Sequence, residues 1–174
     1  MVQELHEWHE FYLLLGTAAA TLLALLFVAI SLGAGFLSPK RKAATRAFFS
    51  PVVIHFGAVF FIAAVNLVPG HTTAFFVGVV VVTAAVGLPV ALYVTNSIVR
   101  HSWTNLLEDY LCYGMLPAAG YLALLAAAAM IWSGSEMAFD VLAGGLLLLL
   151  LVNVRNAWDL TISMIHHQAD RRRR

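Results

Sequence analysis

Charge is scarce in this sequence. Asp, Glu, Lys and Arg make up 11% of its 174 residues, against roughly a quarter in a soluble domain, and none occurs between Arg46 and Arg100. A chain so composed cannot cover a water-facing surface, and no nucleic-acid partner is expected of it. Cysteine is limited to Cys112, which rules out an internal disulfide and leaves a buried packing thiol as the plain reading. No nucleophile and base pair, phosphate loop or paired-carboxylate constellation occurs, so an enzyme is not expected. Apart from His55 no histidine falls inside an apolar block, so an axial pair for haem is missing and no cofactor is expected.

What is abundant is apolar surface: 61% of residues are hydrophobic and the mean hydropathy is +0.87. The fold class expected is an all-α transmembrane bundle. The chain has room for five spans of about 20 residues with short connections, and none for a second folded domain. We read residues 1–165 as one helical domain and 166–174 as a basic tail suited to anionic headgroups. The first ten residues lack the positive start of a cleavable signal and are kept in the mature chain.

Spans are expected at about 11–37, 51–68, 72–95, 110–132 and 136–158. Ser38 and Pro39 stop the first, and a basic loop follows. Ser50 and Pro51 read as N-cap and first residue of the second, and Pro69 with Gly70 ends it in a turn. One helix over the charge-free stretch would be about 80 Å long, so the stretch must fold back as a hairpin. Pro89 and Pro117 are expected to bend the third and fourth spans.

This partition puts all ten bases on one side: Lys40, Arg41, Lys42, Arg46, Arg100, Arg155 and the closing arginines, with four acids. The other side has Glu4, Glu7, Glu10, Glu136 and Asp140 and no base. The positive-inside bias therefore sets the amino terminus outside and the carboxyl terminus in the cytoplasm.

Gly16, Ala20 and Ala24 form a small-residue stripe beside Thr17 and Thr21, which marks the first span as a packing helix, within the chain or between subunits. Five thin helices leave little interior for a solute, so a path between subunits of a homo-oligomer is the natural form of a transport function. Ionisable groups inside spans are costly and default to a functional reading. On the cytoplasmic side the ionisable groups are His55, Arg155 and Asp159, with the polar amides of Asn153 and Asn156 beside them, and Arg155 and Asp159 are spaced to pair along one face. As a vestibule, Arg155 attracts anions and His55 exchanges protons; otherwise Arg155 snorkels, neutralised by Asp159, and His55 makes one interhelical hydrogen bond. Asp140 is the deeper of the two acids opening the fifth span and joins the vestibule set. The middle would be a hydrophobic constriction that gates by dewetting.

On the outer side His6, His9 and Glu10 share a helical face, and His71 arrives from the next outer loop. Imidazoles with a carboxylate suit zinc or a related divalent ion, but the spacing is not the zinc-protease pattern, and a solvated acidic helix start is the better reading.

The stretch from Trp8 to Tyr12, Leu15 to Thr21, Leu26 to Leu32, Ser50 to Phe56 and Asn153 to Asp159 resembles small bacterial multi-span inner-membrane proteins, a group with no established activity. The resemblance implies a bacterial inner-membrane location and carries over no functional residue. Two functions stand side by side: a homo-oligomer conducting ions or protons, and a non-conducting accessory or scaffold subunit in the lipid bilayer. Divalent-metal binding outside is a third.

Overall fold

The computed structural model describes the backbone of residues 8–34, 39–100 and 106–172, and the side chains of 8–31, 51–98 and 107–162. Within them every regular element is a helix: α1 (His9–Ala34), α2 (Pro39–Asn66), α3 (Thr73–Arg100), the short α4 (Leu106–Asp109), a π-helical segment (Tyr110–Met115), α5 (Leu116–Ser133) and α6 (Ala138–Arg172). Four stretches are long and apolar enough to cross a membrane: His9–Ser31, Thr73–Ile98, Leu107–Ser133 and Ala138–Ile162. The second expected span differs. Its apolar part, Pro51–Asn66, is shorter, about 24 Å at about 1.5 Å per residue against a hydrocarbon core of roughly 30 Å.

Chain direction follows from which residues meet. Gly16 approaches Ala63 across α1 and α2, Gly114 lies on Thr95 and Gly87 on Tyr121 across α3 and the Leu107–Ser133 stretch, and Gly120 faces Gly145 across α5 and α6. Tyr12 beside Asn66 and Cys112 beside Asn156 supply second pairs. One number rises as the other falls across α1 and α2, across α3 and the Leu107–Ser133 stretch, and across that stretch and α6. A short turn joins α2 to α3, so successive helices are antiparallel. The starts of α1, α3 and α6 thus share the His9 end, and Arg155 belongs to the opposite end.

α2 occupies the middle, packed on α1, α3 and α6. Its Phe56, Val59 and Ile62 are fully enclosed, together with Leu124 of α5 and Leu142, Leu146 and Leu149 of α6. A central position suits a helix with a short apolar part, because its neighbours shield it from whatever surrounds the bundle. The exterior keeps large apolar side chains such as Leu14, Val82, Tyr93, Leu122 and Leu151 in the open, the surface a soluble protein avoids and lipid accepts.

Two boundaries differ from the expectation. α2 does not begin at Pro51: its backbone is helical from Pro39, through the stretch read as a basic loop, and Pro51 lies inside it. A proline there loses one bond to the carbonyl four residues back, a cost that buried packing of Pro51 and Val52 offsets. α6 likewise continues to Arg172, through most of the stretch read as a tail. No glycine or proline follows Gly145, and Arg, Gln and Ala are good helix formers, so nothing local stops it. The hairpin between α5 and α6 turns at Gly134, whose φ of 74° is left-handed. There Ser135 N–H bonds back to the Met130 carbonyl at 3.0 Å, closing the helix as a glycine C-cap does.

Candidate functional site

Among the described residues, hydrogen bonds between helices hold polar side chains together at two sites, around His55 and around Asn156. The first joins α2 to α5. His55 is 1% exposed, and its Nδ1 lies 2.7 Å from the Tyr121 hydroxyl. The Tyr121 ring rests on Gly87 of α3, where any Cβ would collide with it; a small residue at that point lets three helices meet around one hydrogen bond. The other ring nitrogen, Nε2, is buried with no hydrogen-bond partner.

The depth of His55 follows from the longer α2. Counted from Pro51 it would sit one turn inside; counted from Pro39 it is sixteen residues in, about 24 Å. Its partner Tyr121 is thirteen residues beyond Glu108, or roughly 20 Å at an α-helical rise. His55, 1% exposed, belongs to the bundle interior; the sequence reading grouped it with Arg155, and among the described residues no hydrogen bond or ion pair joins the two.

The second site joins α6 to the π-helical segment at the Arg155 end. The π turn bonds Leu116 N–H to the Leu111 carbonyl. Continuing that register would bond residue 117 to Cys112, but residue 117 is proline and has no N–H. Asn156 supplies the missing donor: its Nδ2 reaches the Cys112 carbonyl at 2.8 Å, and the Tyr113 hydroxyl donates back to the Asn156 carbonyl at 3.2 Å. Asn153, one turn earlier and fully buried, donates to the Leu149 carbonyl of its own helix at 2.7 Å. The Oδ1 atoms of Asn153 and Asn156 are both buried without a partner.

Around this clamp, Arg155 pairs with Asp159 at 3.2 Å, as the i, i+4 spacing predicts, and with Glu108 at 3.4 Å. Both carboxylates are exposed and the Arg155 side chain is partly so, with its Nη1 buried and outside hydrogen-bond geometry; such partly exposed pairs contribute little to stability, typically below about 1 kcal/mol each. Asp140 is exposed in the first turn of α6, at the His9 end. Fifteen residues of helix, about 22 Å, separate it from Arg155.

The remaining expected residues divide. In the small-residue stripe Gly16 is buried against Ala63, Ala20 half-buried and Ala24 exposed. The enclosed face of α1 instead follows Tyr12, Leu15, Ala19 and Leu26. Thr17 and Thr21 satisfy their hydroxyls on their own helix, at the carbonyls of Leu13 and Thr17. At the His9 end, His9 and Glu10 are exposed, and His71 Nδ1 lies 2.8 Å from the Val68 carbonyl, to which it donates. His6 lies outside the described residues. Among the described residues no three His, Cys, Asp or Glu side chains converge as metal ligands do. Near the same end the Tyr12 hydroxyl interacts with Asn66 across α1 and α2, outside direct hydrogen-bond geometry.

Sequence reasoning missed Tyr121, Glu108 and the role of Asn156. Pro117 was the available signal for the last: a proline inside an apolar span frees a carbonyl, and a buried amide on the neighbouring helix is what can answer it. Fold and sites together define a helical bundle with membrane-length helices and a sparse polar interior. Comparison with known protein families, curated proteins and solved structures finds no match.

Proposed function

We propose that the chain is an integral membrane protein of a bacterial inner membrane, with its amino terminus outside, that passes protons through the bundle interior and assembles as a homo-oligomer. The observation that carries this reading is the buried His55 and Tyr121 pair with its open Nε2. An imidazole is costly among apolar helices and is retained where it has work to do. Its two nitrogens suit relay: with Nδ1–H donating to Tyr121, the Nε2 lone pair accepts an incoming proton, and the Nδ1 proton leaves toward the phenol oxygen as the phenol proton moves on. The buried Oδ1 atoms of Asn153 and Asn156 offer acceptors nearer the Arg155 end.

Side chains fill the interior around Phe56, Val59 and Leu146, which favours a proton over a hydrated ion. Oligomerisation draws support from α1, the least enclosed of the four membrane-length helices, whose Thr17, Thr21 and Ala24 face outward.

The test is proton flux in liposomes, read with an entrapped pH dye. Flux above empty vesicles is expected for wild type, with most of it lost in His55→Ala and a smaller loss in Tyr121→Phe. Wild type indistinguishable from empty vesicles, or His55→Ala as fast as wild type, overturns the reading.

A second reading, a non-conducting accessory subunit, is favoured by the close approaches at Gly120 and Gly145, which make a rigid bundle with one underused helix to offer a partner. Silent liposomes together with co-purification of a larger membrane complex through α1 would select it.

A further inference from the structure

A groove of about 540 Å³ runs between α1 and α6 in the half of the bundle toward the Arg155 end. Its walls are two helical faces: Leu22, Leu26 and Ala29 on α1, and Leu151, Val154 and Trp158 on α6, each set at offsets of three and four. The small side chains of Ala29 and Ala157 leave the space, and Arg155 lines it too. The volume falls within the roughly 300–1,000 Å³ of ligand pockets, and the walls suit a hydrocarbon chain. Chain alone gives no selectivity, because lipid tails are as apolar as the leucines they would touch.

Selectivity lies in the charges beside the groove. Arg155 is flanked by Glu108 and Asp159, and Asp109 feels the charges of all three. One guanidinium among three carboxylates is a poor home for a purely anionic headgroup. It complements a head that carries both signs. The guanidinium matches a phosphate, and Glu108, with its side chain 74% exposed and one 3.4 Å contact to Arg155, can accept from an ammonium. A primary ammonium has three N–H donors to give, as lysine has, whereas a quaternary one has none. Trp158, 66% exposed, stands where tryptophans meet headgroups.

We propose that this groove is a site for one zwitterionic phospholipid with a primary ammonium head, its chain between α1 and α6 and its head on Arg155 and Glu108. The inference rests on membrane residence and is independent of proton transport.

The test is native mass spectrometry of delipidated protein with equimolar dioleoyl-phosphatidylethanolamine, -phosphatidylcholine and -phosphatidylglycerol. Ethanolamine-lipid adducts should exceed choline-lipid adducts about fivefold, the upper end of what an exposed ion pair supplies. Glu108→Gln, on an exposed side chain that the fold does not need, should bring the two within about twofold, and Ala29→Phe should lower adducts of all three by filling the groove. Equal retention of the two zwitterionic lipids, preference for the glycerol lipid, or an unchanged preference in Glu108→Gln overturns the proposal. If Ala29→Phe does not fold, Glu108→Gln decides alone. Because lipid retention is scored without flux, it fails or stands separately from conduction.

Discussion

Asn156 on α6 donates its side-chain amide to the backbone carbonyl of Cys112, the carbonyl that Pro117 leaves without a partner in the π-helical register. The two residues are one device: a proline opens the Leu107–Ser133 stretch, and an amide on the next helix closes it. Replacing Asn156 by Leu should leave that carbonyl buried and unsatisfied, while the Tyr113 hydroxyl keeps its bond to the backbone carbonyl of residue 156. The expected loss is about 1–2 kcal/mol, near the upper range for hydrogen bonds between transmembrane helices. Pro117→Ala in the same background should recover most of it, since alanine restores an N–H to the helix. Unfolding midpoints of the two single variants and the double variant form the cycle that measures this; simple additivity would break the link between the two residues.

The glycines sort by what a methyl group would meet. At Gly87 it would strike the Tyr121 ring, and at Gly145 it would press Ala123 at 3.1 Å and the Gly120 carbonyl oxygen at 3.2 Å; at Gly144 it would meet nothing within 4 Å. Alanine at 87 should therefore be the most destabilising, about 2–3 kcal/mol, alanine at 145 about 1 kcal/mol, and alanine at 144 neutral or slightly stabilising through helix propensity. Thermal unfolding in one detergent gives the order. A Gly144→Ala variant as damaged as Gly145→Ala would mean that the α5 and α6 contact is misdescribed.

Some of this was legible beforehand, and the rest depended on contacts between helices. The helical class and four membrane-length stretches follow from apolar runs bounded by Pro69, Gly70, Ser133 and Gly134, where local chemistry decides. The start of α2 does not: Ser50 and Pro51 carry a valid start signal, but proline is tolerated inside a helix when packing compensates, and composition cannot report packing. That shift also changes where His55 sits in its helix, read as one turn from the start and found sixteen residues in, beside Tyr121. The pairing of Arg155 with Asp159 was visible because it lies within one helix; Glu108, 47 residues away in sequence, was not. In α1, four-residue spacing of small residues picked out Gly16, Ala20 and Ala24 for close packing, within the chain or between subunits; within the chain Gly16 meets Ala63, and the enclosed face runs through Tyr12, Leu15, Ala19 and Leu26.

That outward face of α1 yields a prediction on assembly. In a Cys112→Ala background, which keeps the carbonyl used by Asn156, a cysteine at the exposed position 24 should cross-link between copies under mild oxidation, while one at the buried position 19 should not. A homo-oligomer built through α1 needs the first result. Cross-linking at neither position, with a monomeric mass in mild detergent, would turn the case toward an accessory subunit.

Sidedness is the last consequence, and it joins the charge distribution to the bundle. Antiparallel packing puts Ser135, in the hairpin between α5 and α6, at the end where α1 begins, and puts Glu108 at the opposite end beside Arg155. The basic residues lie toward the Arg155 end, so the positive-inside bias predicts Ser135 outside and Glu108 in the cytoplasm. Single cysteines at the two positions, again in Cys112→Ala, should differ in labelling of intact cells by a membrane-impermeant maleimide: Ser135→Cys should react at once, and Glu108→Cys only after the cells are opened. The reverse pattern would invert the orientation. Labelling of both positions from outside would remove this crossing, because Glu108 and Ser135 mark the two ends of the Leu107–Ser133 stretch and can share a side only if that stretch does not cross.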